Sequence, residues 1–215
     1  MSAASGLRVV AMVFDGITPL DVVGPLEVFS RVPRVEIALV GSRAGVASDP
    51  RTKLVLQTPS PFSEVTSADV LIIPGGPGVR ALCDDLEFLG WLRAVHETTQ
   101  LTTSVCTGAL CLAAAGLLHG LDATTHWAHR AALEQYGATY LAQRFVRSGK
   151  IITAAGVSAG IDMCLYAIAE LYGETLAKAV QLSIEYDPQP PFDSGSPAKA
   201  GSDMTERVRA AIARA

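Results

Sequence analysis

The sequence predicts an α/β fold, a three-layer sandwich in which a mainly parallel sheet is flanked by helices. Several short segments are apolar at nearly every position, which is typical of strands covered on both faces. These segments alternate along the chain with helical patterns, as a parallel sheet requires. In such folds ligands bind at the carboxyl ends of the strands, so residues that directly follow a strand are the first candidates for a functional site.

The predicted strands are short apolar or β-branched segments bounded by turn residues. In chain order they are Leu7–Phe14, Val35–Val40, Arg51–Gln57, Val70–Pro74, Leu101–Val105, Leu121–Thr125, Phe145–Arg147 and Ile151–Ala155. We expect Arg51–Gln57 to form a hairpin with Val46–Ala47, and the last two strands to pair around Ser148-Gly149.

Helical patterns fill the intervals between these strands. The predicted helices are a segment that follows Asp21 and the segments Asp84–Thr98, Ala109–Ala115, His129–Tyr136, Ala159–Tyr172, Thr175–Tyr186 and Thr205–Ala213. Pro25 is expected in the first turn of its helix, where a missing N–H costs little. A Pro-rich loop, Asp187–Pro197, comes before the last helix.

Length and composition predict one domain. The chain has 215 residues, 49% of them hydrophobic, so residues 7–197 are expected to form a single domain, with a flexible N-terminus over 1–6 and a partly helical tail over 198–215. The net charge is −4 and no basic block occurs, which disfavours binding to nucleic acid. We expect no signal peptide and no membrane span.

The cysteine pattern favours a reducing compartment. The four cysteines form no CxxC motif and no paired spacing, and they are Cys83, Cys106, Cys111 and Cys164. A disulfide framework or a zinc ribbon is therefore disfavoured, and a cytoplasmic location is expected.

Cys106 stands at the junction between the strand Leu101–Val105 and the helix that follows. Small residues lie two positions before and two positions after it, at Ser104 and Gly108. A sharp strand-to-helix turn needs that spacing, so the segment predicts a nucleophile elbow with sulfur in place of oxygen. We expect the helix N-terminus to lower the pKa of the thiol and to favour the thiolate. The alternative is that Cys106 is a small buried hydrophobic residue.

Two further strand ends meet the same edge of the predicted sheet. Asp21 lies at the mouth of the helix after the first strand, and Gly75 and Gly76 directly follow Val70–Pro74. Any Asp in that position can be a helix N-cap, and the glycines can simply make a tight turn.

Five segments together resemble a known family. They are LDVVGPLEVF (20–29), IIPGGPGV (72–79), TSVCTGALCLAAAGLLHGLDATTHW (103–127), AAGVSAGIDM (154–163) and QLSIEYDPQPPFDSGSP (181–197). They resemble the DJ-1/PfpI superfamily, whose fold is flavodoxin-like and similar to class I glutamine amidotransferases. Within it they resemble the isonitrile hydratase (isocyanide hydratase) branch.

The resemblance implies an activity and roles for the site residues. The activity is that of a lyase of the hydro-lyase type, which hydrates an isonitrile to an N-substituted formamide through a cysteine thioimidate, with no cofactor or metal. Cys106 is implied as the nucleophile and Asp21 as its acid/base partner, with the Asp21 pKa raised by the like charge of a thiolate. The peptide N–H of Thr107 and that of Gly75 or Gly76 are expected to stabilise negative charge, and the Thr107 hydroxyl can bind Asp21 or the substrate. A homodimer is also implied.

Three other functions fit the same motifs. The motif set also occurs in sensor domains of AraC-type transcription regulators, although the tail after Pro197 is too short for their DNA-binding region. A redox-responsive protein would use oxidation of Cys106 as a signal. A glyoxalase-like hydratase or deglycase shares the cysteine, but that activity usually goes with Glu where this chain has Asp21.

The remaining polar candidates are expected to be structural. His126 lies at a strand end and can approach Cys106, but its pairing with His129 lacks a third metal ligand. His96 and His119 are expected on the surface or in loops. Asp162 is expected to serve the dipole of its helix, with a role in ordering the site as the alternative. Cys111 and Cys164 are expected in the core.

Overall fold

The computed structural model describes residues 6–214, and the predicted α/β sandwich is confirmed. The strands are β1 (Leu7–Met12), β2 (Val35–Gly41), β3 (Gly45–Ser48), β4 (Val55–Thr58), β5 (Ser60–Pro61), β6 (Val70–Ile73), β7 (Leu101–Val105), β8 (Asp122–Ala123), β9 (Thr139–Tyr140), β10 (Phe145–Ser148) and β11 (Ile151–Ala154). The helices are α1 (Leu20–Phe29), α2 (Val79–Asp84), α3 (Leu86–Thr98), α4 (Gly108–Ala114), α5 (Arg130–Gln135), α6 (Ala159–Tyr172), α7 (Glu174–Ser183), α8 (Pro197–Ala200) and α9 (Ser202–Ile212).

The main sheet has seven strands in the order β10-β11-β7-β6-β1-β2-β5. All neighbours are parallel except β10 and β11, which form the predicted antiparallel pair. The central strands β1, β6 and β7 are buried almost throughout, which explains their apolar sequences. Their carboxyl ends therefore meet at one edge, together with the end of β11.

Two small sheets lie outside the main one. The predicted hairpin is confirmed as β3 and β4, which pair antiparallel, but its second strand begins at Val55 rather than at Arg51. The segment predicted as the strand Leu121–Thr125 contributes only β8, which pairs with β9. The helix α2, directly after the glycine loop, had no counterpart in the sequence prediction.

Helix α1 begins earlier than its sequence suggested. Pro19 already has right-handed helical dihedral angles, and its carbonyl accepts hydrogen bonds from the N–H groups of Val22 and Val23. Pro25 is therefore an interior residue, and the expectation that it lies in the first turn is wrong. Because proline has no N–H, the helix gives up one hydrogen bond at this point.

Helix α6 packs directly against α1 and the end of β7. A Cβ atom on Gly160 would lie 2.9 Å from Val105 Cγ2 and 3.2 Å from Pro25 Cγ. The backbone of α6 thus comes closer to both elements than any other residue type permits. This close approach sets how α1 and α6 sit over the carboxyl edge of the sheet.

The chain divides into two units, the first ending at Ile184 and the second beginning at Glu185. The second unit contains α8 and α9 and includes the loop that the sequence placed inside the domain. The predicted flexible segment 1–6 lies almost wholly outside the described residues. No helix within residues 6–214 has the length and apolar character to span a bilayer.

Alanine at two helical glycines should have opposite effects on stability. Gly160→Ala is expected to lower the free energy of unfolding by about 1–3 kcal/mol, because the new methyl group overlaps Val105. Gly90→Ala in α3 is the matched control: its Cβ would have no neighbour within 4 Å, so it is expected to raise the free energy of unfolding by about 0.5–1 kcal/mol. Urea unfolding of both variants tests this, and equal effects would contradict the close packing of α6.

Candidate active site

Cys106 occupies a sharp turn between β7 and α4. Its φ angle is +57°, a left-handed conformation that costs a non-glycine residue about 1–3 kcal/mol. The backbone around it holds this conformation in place. The Cys106 N–H points at the carbonyls of Ala154 (3.1 Å) and Ala155 (2.8 Å), and the Cys106 carbonyl accepts a hydrogen bond of 2.9 Å from the Thr125 hydroxyl. The end of β11 therefore anchors the turn.

The residues on either side of the turn must be small. A Cβ atom on Gly108 would lie only 2.1 Å from the Ile73 carbonyl oxygen. Ser104 is fully buried in β7. The predicted steric requirement for small residues is thus confirmed at Gly108 by the backbone of β6.

Asp21 reaches the same place from the first turn of α1. Its side chain is fully buried, and Oδ2 accepts a hydrogen bond of 3.0 Å from the Gly75 N–H. The alternative that Asp21 is a helix N-cap is wrong, because Pro19 occupies that position and the carboxyl group turns to the glycine loop. The other oxygen, Oδ1, is buried and finds no regular hydrogen-bond partner among the residues 6–214.

Gly75 and Gly76 bring the loop after β6 against the elbow. A Cβ atom on Gly75 would lie 2.5 Å from Thr107 N and 2.9 Å from Asp21 Oδ2, so only glycine fits. The Gly76 N–H donates to Thr107 Oγ1 at 2.9 Å. The sequence suggested these two N–H groups as donors to negative charge on the reacting molecule. In the structure each already donates a hydrogen bond to a side chain of the protein. They hold Asp21 and Thr107 in position.

The environment raises the pKa of both the carboxyl group and the thiol. Burial raises the pKa of Asp21 to about 7, against the lowering effects of the Gly75 N–H, the Cys106 thiol and the Arg51 charge. Burial and then the Asp21 charge raise the pKa of Cys106 to about 12, while the N–H groups of Thr107 and Val157 act in the opposite direction.

The expectation of a thiolate in the resting protein is therefore wrong. Two backbone N–H groups near sulfur do not compensate for the loss of water around it. The Asp21 pKa is raised as expected, but burial is the cause. At neutral pH the sulfur of Cys106 is protonated and carries no charge to repel the carboxylate. The pair then holds the thiol proton beside a carboxyl group that is close to half ionised.

Val157 is a site residue that sequence reasoning missed. It follows β11 in the turn Gly156-Val157-Ser158, and its N–H faces the Cys106 sulfur. Its φ angle is +23°, an unusual value for a β-branched residue. The available signal was its place directly after a buried strand that neighbours β7.

The other polar candidates have structural partners. His126 Nδ1 accepts a hydrogen bond of 3.3 Å from the Ala128 N–H and so caps the short turn after it. Asp162, in the first turn of α6, forms an ion pair with Arg144, which directly precedes β10. His96 was expected on the surface, but it is buried, and its Nδ1 lies 2.8 Å from the Thr102 hydroxyl. Within the described chain, no three metal-ligating side chains converge.

Replacing Asp21 should stabilise the protein in a pH-dependent way. Because the folded-state pKa is about 7 and the usual value is 3.8, the unfolded chain releases the proton first, and stability falls as pH rises between these values. Asp21→Asn removes the cost of burying an ionised carboxyl group. The difference in free energy of unfolding between this variant and the wild type is therefore expected to grow by about 2–4 kcal/mol as pH rises from the lower to the higher pKa. Urea unfolding at about pH 5 and about pH 8 tests this, and an advantage independent of pH would contradict the raised pKa.

Comparisons with known proteins identify the family of this chain. A model of the DJ-1/PfpI family matches residues 7–170. Among curated proteins, the chain is 40% identical over 203 residues to the isonitrile hydratase of Pseudomonas putida, covering 94% of this chain and 89% of the relative. It is also 36% identical over 119 residues to the HTH-type transcriptional regulator CdhR of Pseudomonas aeruginosa, with 54% of this chain and 34% of that protein covered.

Solved structures agree over nearly the whole length. A ThiJ/PfpI family protein from Pseudomonas syringae superimposes with a TM-score of 0.92 at 35% identity, covering 97% of this chain and 87% of that one. Drosophila melanogaster DJ-1beta shares the fold, with a TM-score of 0.78 at 18% identity over 85% of this chain and 100% of that one. Because the family model covers most of the chain and a curated relative is 40% identical over nearly its whole length, the chain belongs to the DJ-1/PfpI family.

Proposed function

We propose that the protein is an isonitrile hydratase, which adds water to an isonitrile and releases an N-substituted formamide. The observation that carries the proposal is the pairing of the buried Cys106 thiol with the buried Asp21 carboxyl group, whose Oδ1 makes no regular hydrogen bond to any residue between 6 and 214. The 40% identity to an isonitrile hydratase over most of both chains supports the same activity. The proposal needs no cofactor.

The first step of the proposed reaction is addition of the thiol to the terminal isonitrile carbon. Ionised Asp21 removes the proton from Cys106, because a thiol with a pKa of about 12 is a poor nucleophile without a base. Sulfur bonds to the carbon, and Asp21 returns the proton to that carbon. The product is a thioimidate, R–N=CH–S–Cys106, and no other atom is gained or lost.

The second step is hydrolysis of the thioimidate. Asp21 is ionised again after the proton transfer, and it activates a water molecule through an oxygen that makes no regular hydrogen bond within residues 6–214. Water adds to the carbon, the nitrogen takes up a proton, and the C–S bond breaks. The formamide R–NH–CHO leaves, and the Cys106 thiol is restored.

The surrounding amides have separate roles in this proposal. The N–H groups of Thr107 and Val157 stabilise negative charge on sulfur when the proton leaves it and again when the C–S bond breaks. Gly75 keeps Asp21 oriented, and Gly76 keeps Thr107 oriented. As part of the same proposal, the protein acts as a cytoplasmic homodimer on a small-molecule isonitrile.

Loss of the nucleophile should abolish turnover. Cys106→Ala is expected to reduce hydration of an aryl isonitrile to background, and Cys106→Ser to do the same because a hydroxyl group is harder still to deprotonate. Spectrophotometric detection of the formamide measures this. Cys111→Ala is the matched control and should retain near-wild-type activity under reducing conditions. Activity in Cys106→Ala would exclude the thioimidate route, and an inactive wild type would exclude the proposed function.

The rate should follow ionisation of Asp21. Because the carboxylate must accept the thiol proton, kcat/KM of the wild type is expected to rise with pH to a plateau, with a midpoint near the Asp21 pKa of about 7. Asp21→Asn should lose about 10²–10⁴-fold in rate and lose that pH dependence, since the amide accepts no proton. A pH–rate profile of both proteins tests this. Near-full activity in a folded Asp21→Asn variant would show that Asp21 is not the base.

A further inference from the structure

A pair of thiols lies outside the proposed reaction site, one in α2 and one in the elbow helix α4. Helix α2, which carries Cys83, packs against α4, which carries Cys111. The two thiols are close enough to shift each other's pKa. Neither sulfur has a place in the proposed reaction. Both cysteines are in the free thiol form.

The two thiols differ in access and in acidity. Cys83 is partly exposed, whereas Cys111 is fully buried in the core. The neighbouring Cys111 thiol lowers the pKa of Cys83, although burial and the Asp84 charge oppose this effect. The neighbouring Cys83 thiol and burial raise the pKa of Cys111 in turn. An accessible, more acidic thiol next to a buried one is the arrangement in which the first attacks an oxidant and the second resolves the product.

We propose that Cys83 and Cys111 form a reversible modification site, at which hydrogen peroxide converts the two thiols to an intramolecular disulfide. The Cys83 thiolate attacks one peroxide oxygen, the O–O bond breaks, and water leaves, so that Cys83 becomes a sulfenic acid. The Cys111 sulfur then attacks the Cys83 sulfur, the S–O bond breaks, and a second water leaves. Two thiols and one peroxide thus give one disulfide and two waters.

The local structure permits the closer approach that an S–S bond requires. Cys83 is the penultimate residue of the six-residue helix α2, and the chain becomes extended at Asp85. Movement of the Cys83 sulfur toward Cys111 therefore falls on the end of a short helix. Cys111 stays fixed in α4.

This bond would join the two segments that form the site. Helix α2 begins after the loop of Gly75 and Gly76, and α4 begins after the elbow of Cys106. The disulfide would close a loop of chain between them and so restrict the unfolded state.

Peptide mapping after peroxide treatment tests the proposal. Trypsin places Cys83 in residues 81–93 and both Cys106 and Cys111 in residues 94–130. The experiment therefore uses the Cys106→Ala variant, in which Cys111 is the one cysteine of the second peptide. Any disulfide to that peptide is then a disulfide to Cys111. We expect the two peptides to become joined, with a loss of about 2 Da relative to their summed mass. The protein should still run as a single chain on a non-reducing gel, and dithiothreitol should separate the two peptides. The melting temperature should rise on oxidation.

Variants separate the roles of the two sulfurs. Both variants are made in the Cys106→Ala background. In Cys111→Ser the peptide 81–93 should accumulate a sulfenic acid that dimedone traps. In Cys83→Ser neither a disulfide nor a dimedone adduct should form on these two peptides. Cys164→Ser is the matched control, because it removes a buried thiol elsewhere and should leave the link unchanged. Oxidation of Cys83 to sulfinic acid without a link, a link between two chains, or two unreacted thiols would each overturn the proposal. These readouts do not depend on hydratase activity.

Discussion

The hydrogen bond from the Gly75 N–H to Asp21 Oδ2 connects the three segments on which the site depends. Asp21 comes from α1, Gly75 follows β6, and the same glycine touches the backbone of Thr107 after the elbow. A buried carboxyl group without such a partner would turn to water or disrupt the packing around it. This bond instead fixes one oxygen of the carboxyl group that interacts with the Cys106 thiol. It thereby holds α1, the glycine loop and the elbow together at the carboxyl edge of the sheet.

Burial at the carboxyl edge of the sheet affects the protonation of Cys106 and Asp21 more strongly than helix α4 does. Helix α4 is seven residues long, and the N–H groups near sulfur lower the Cys106 pKa by less than the loss of water raises it. In the proposed reaction Cys106 would thus stay protonated until Asp21 accepts its proton. A protonated thiol reacts slowly with adventitious electrophiles, because the thiolate is the reactive form.

The fold and the main residues of the site were predictable because they depend on local patterns. Apolar strands, the helix Ala159–Tyr172 and the small residues around Cys106 are each visible within a short stretch of sequence. The ionisation of Cys106 was not predictable, because the water excluded from sulfur depends on α1, β11 and the glycine loop together. Val157 was missed for a related reason: its N–H reaches sulfur only through an unusual φ angle, which its residue type disfavours. The buried position of His96 likewise depends on its contact with Thr102.

The left-handed turn at Cys106 is held by contacts that do not involve sulfur. Its N–H and carbonyl bind to Ala154, Ala155 and Thr125, and the close approach of Gly108 is to the backbone of β6. The surroundings thus fix the main chain of the turn without any contribution from the sulfur. Replacing the Cys106 sulfur would therefore remove the reactive group and leave in place the contacts that shape the main chain around it.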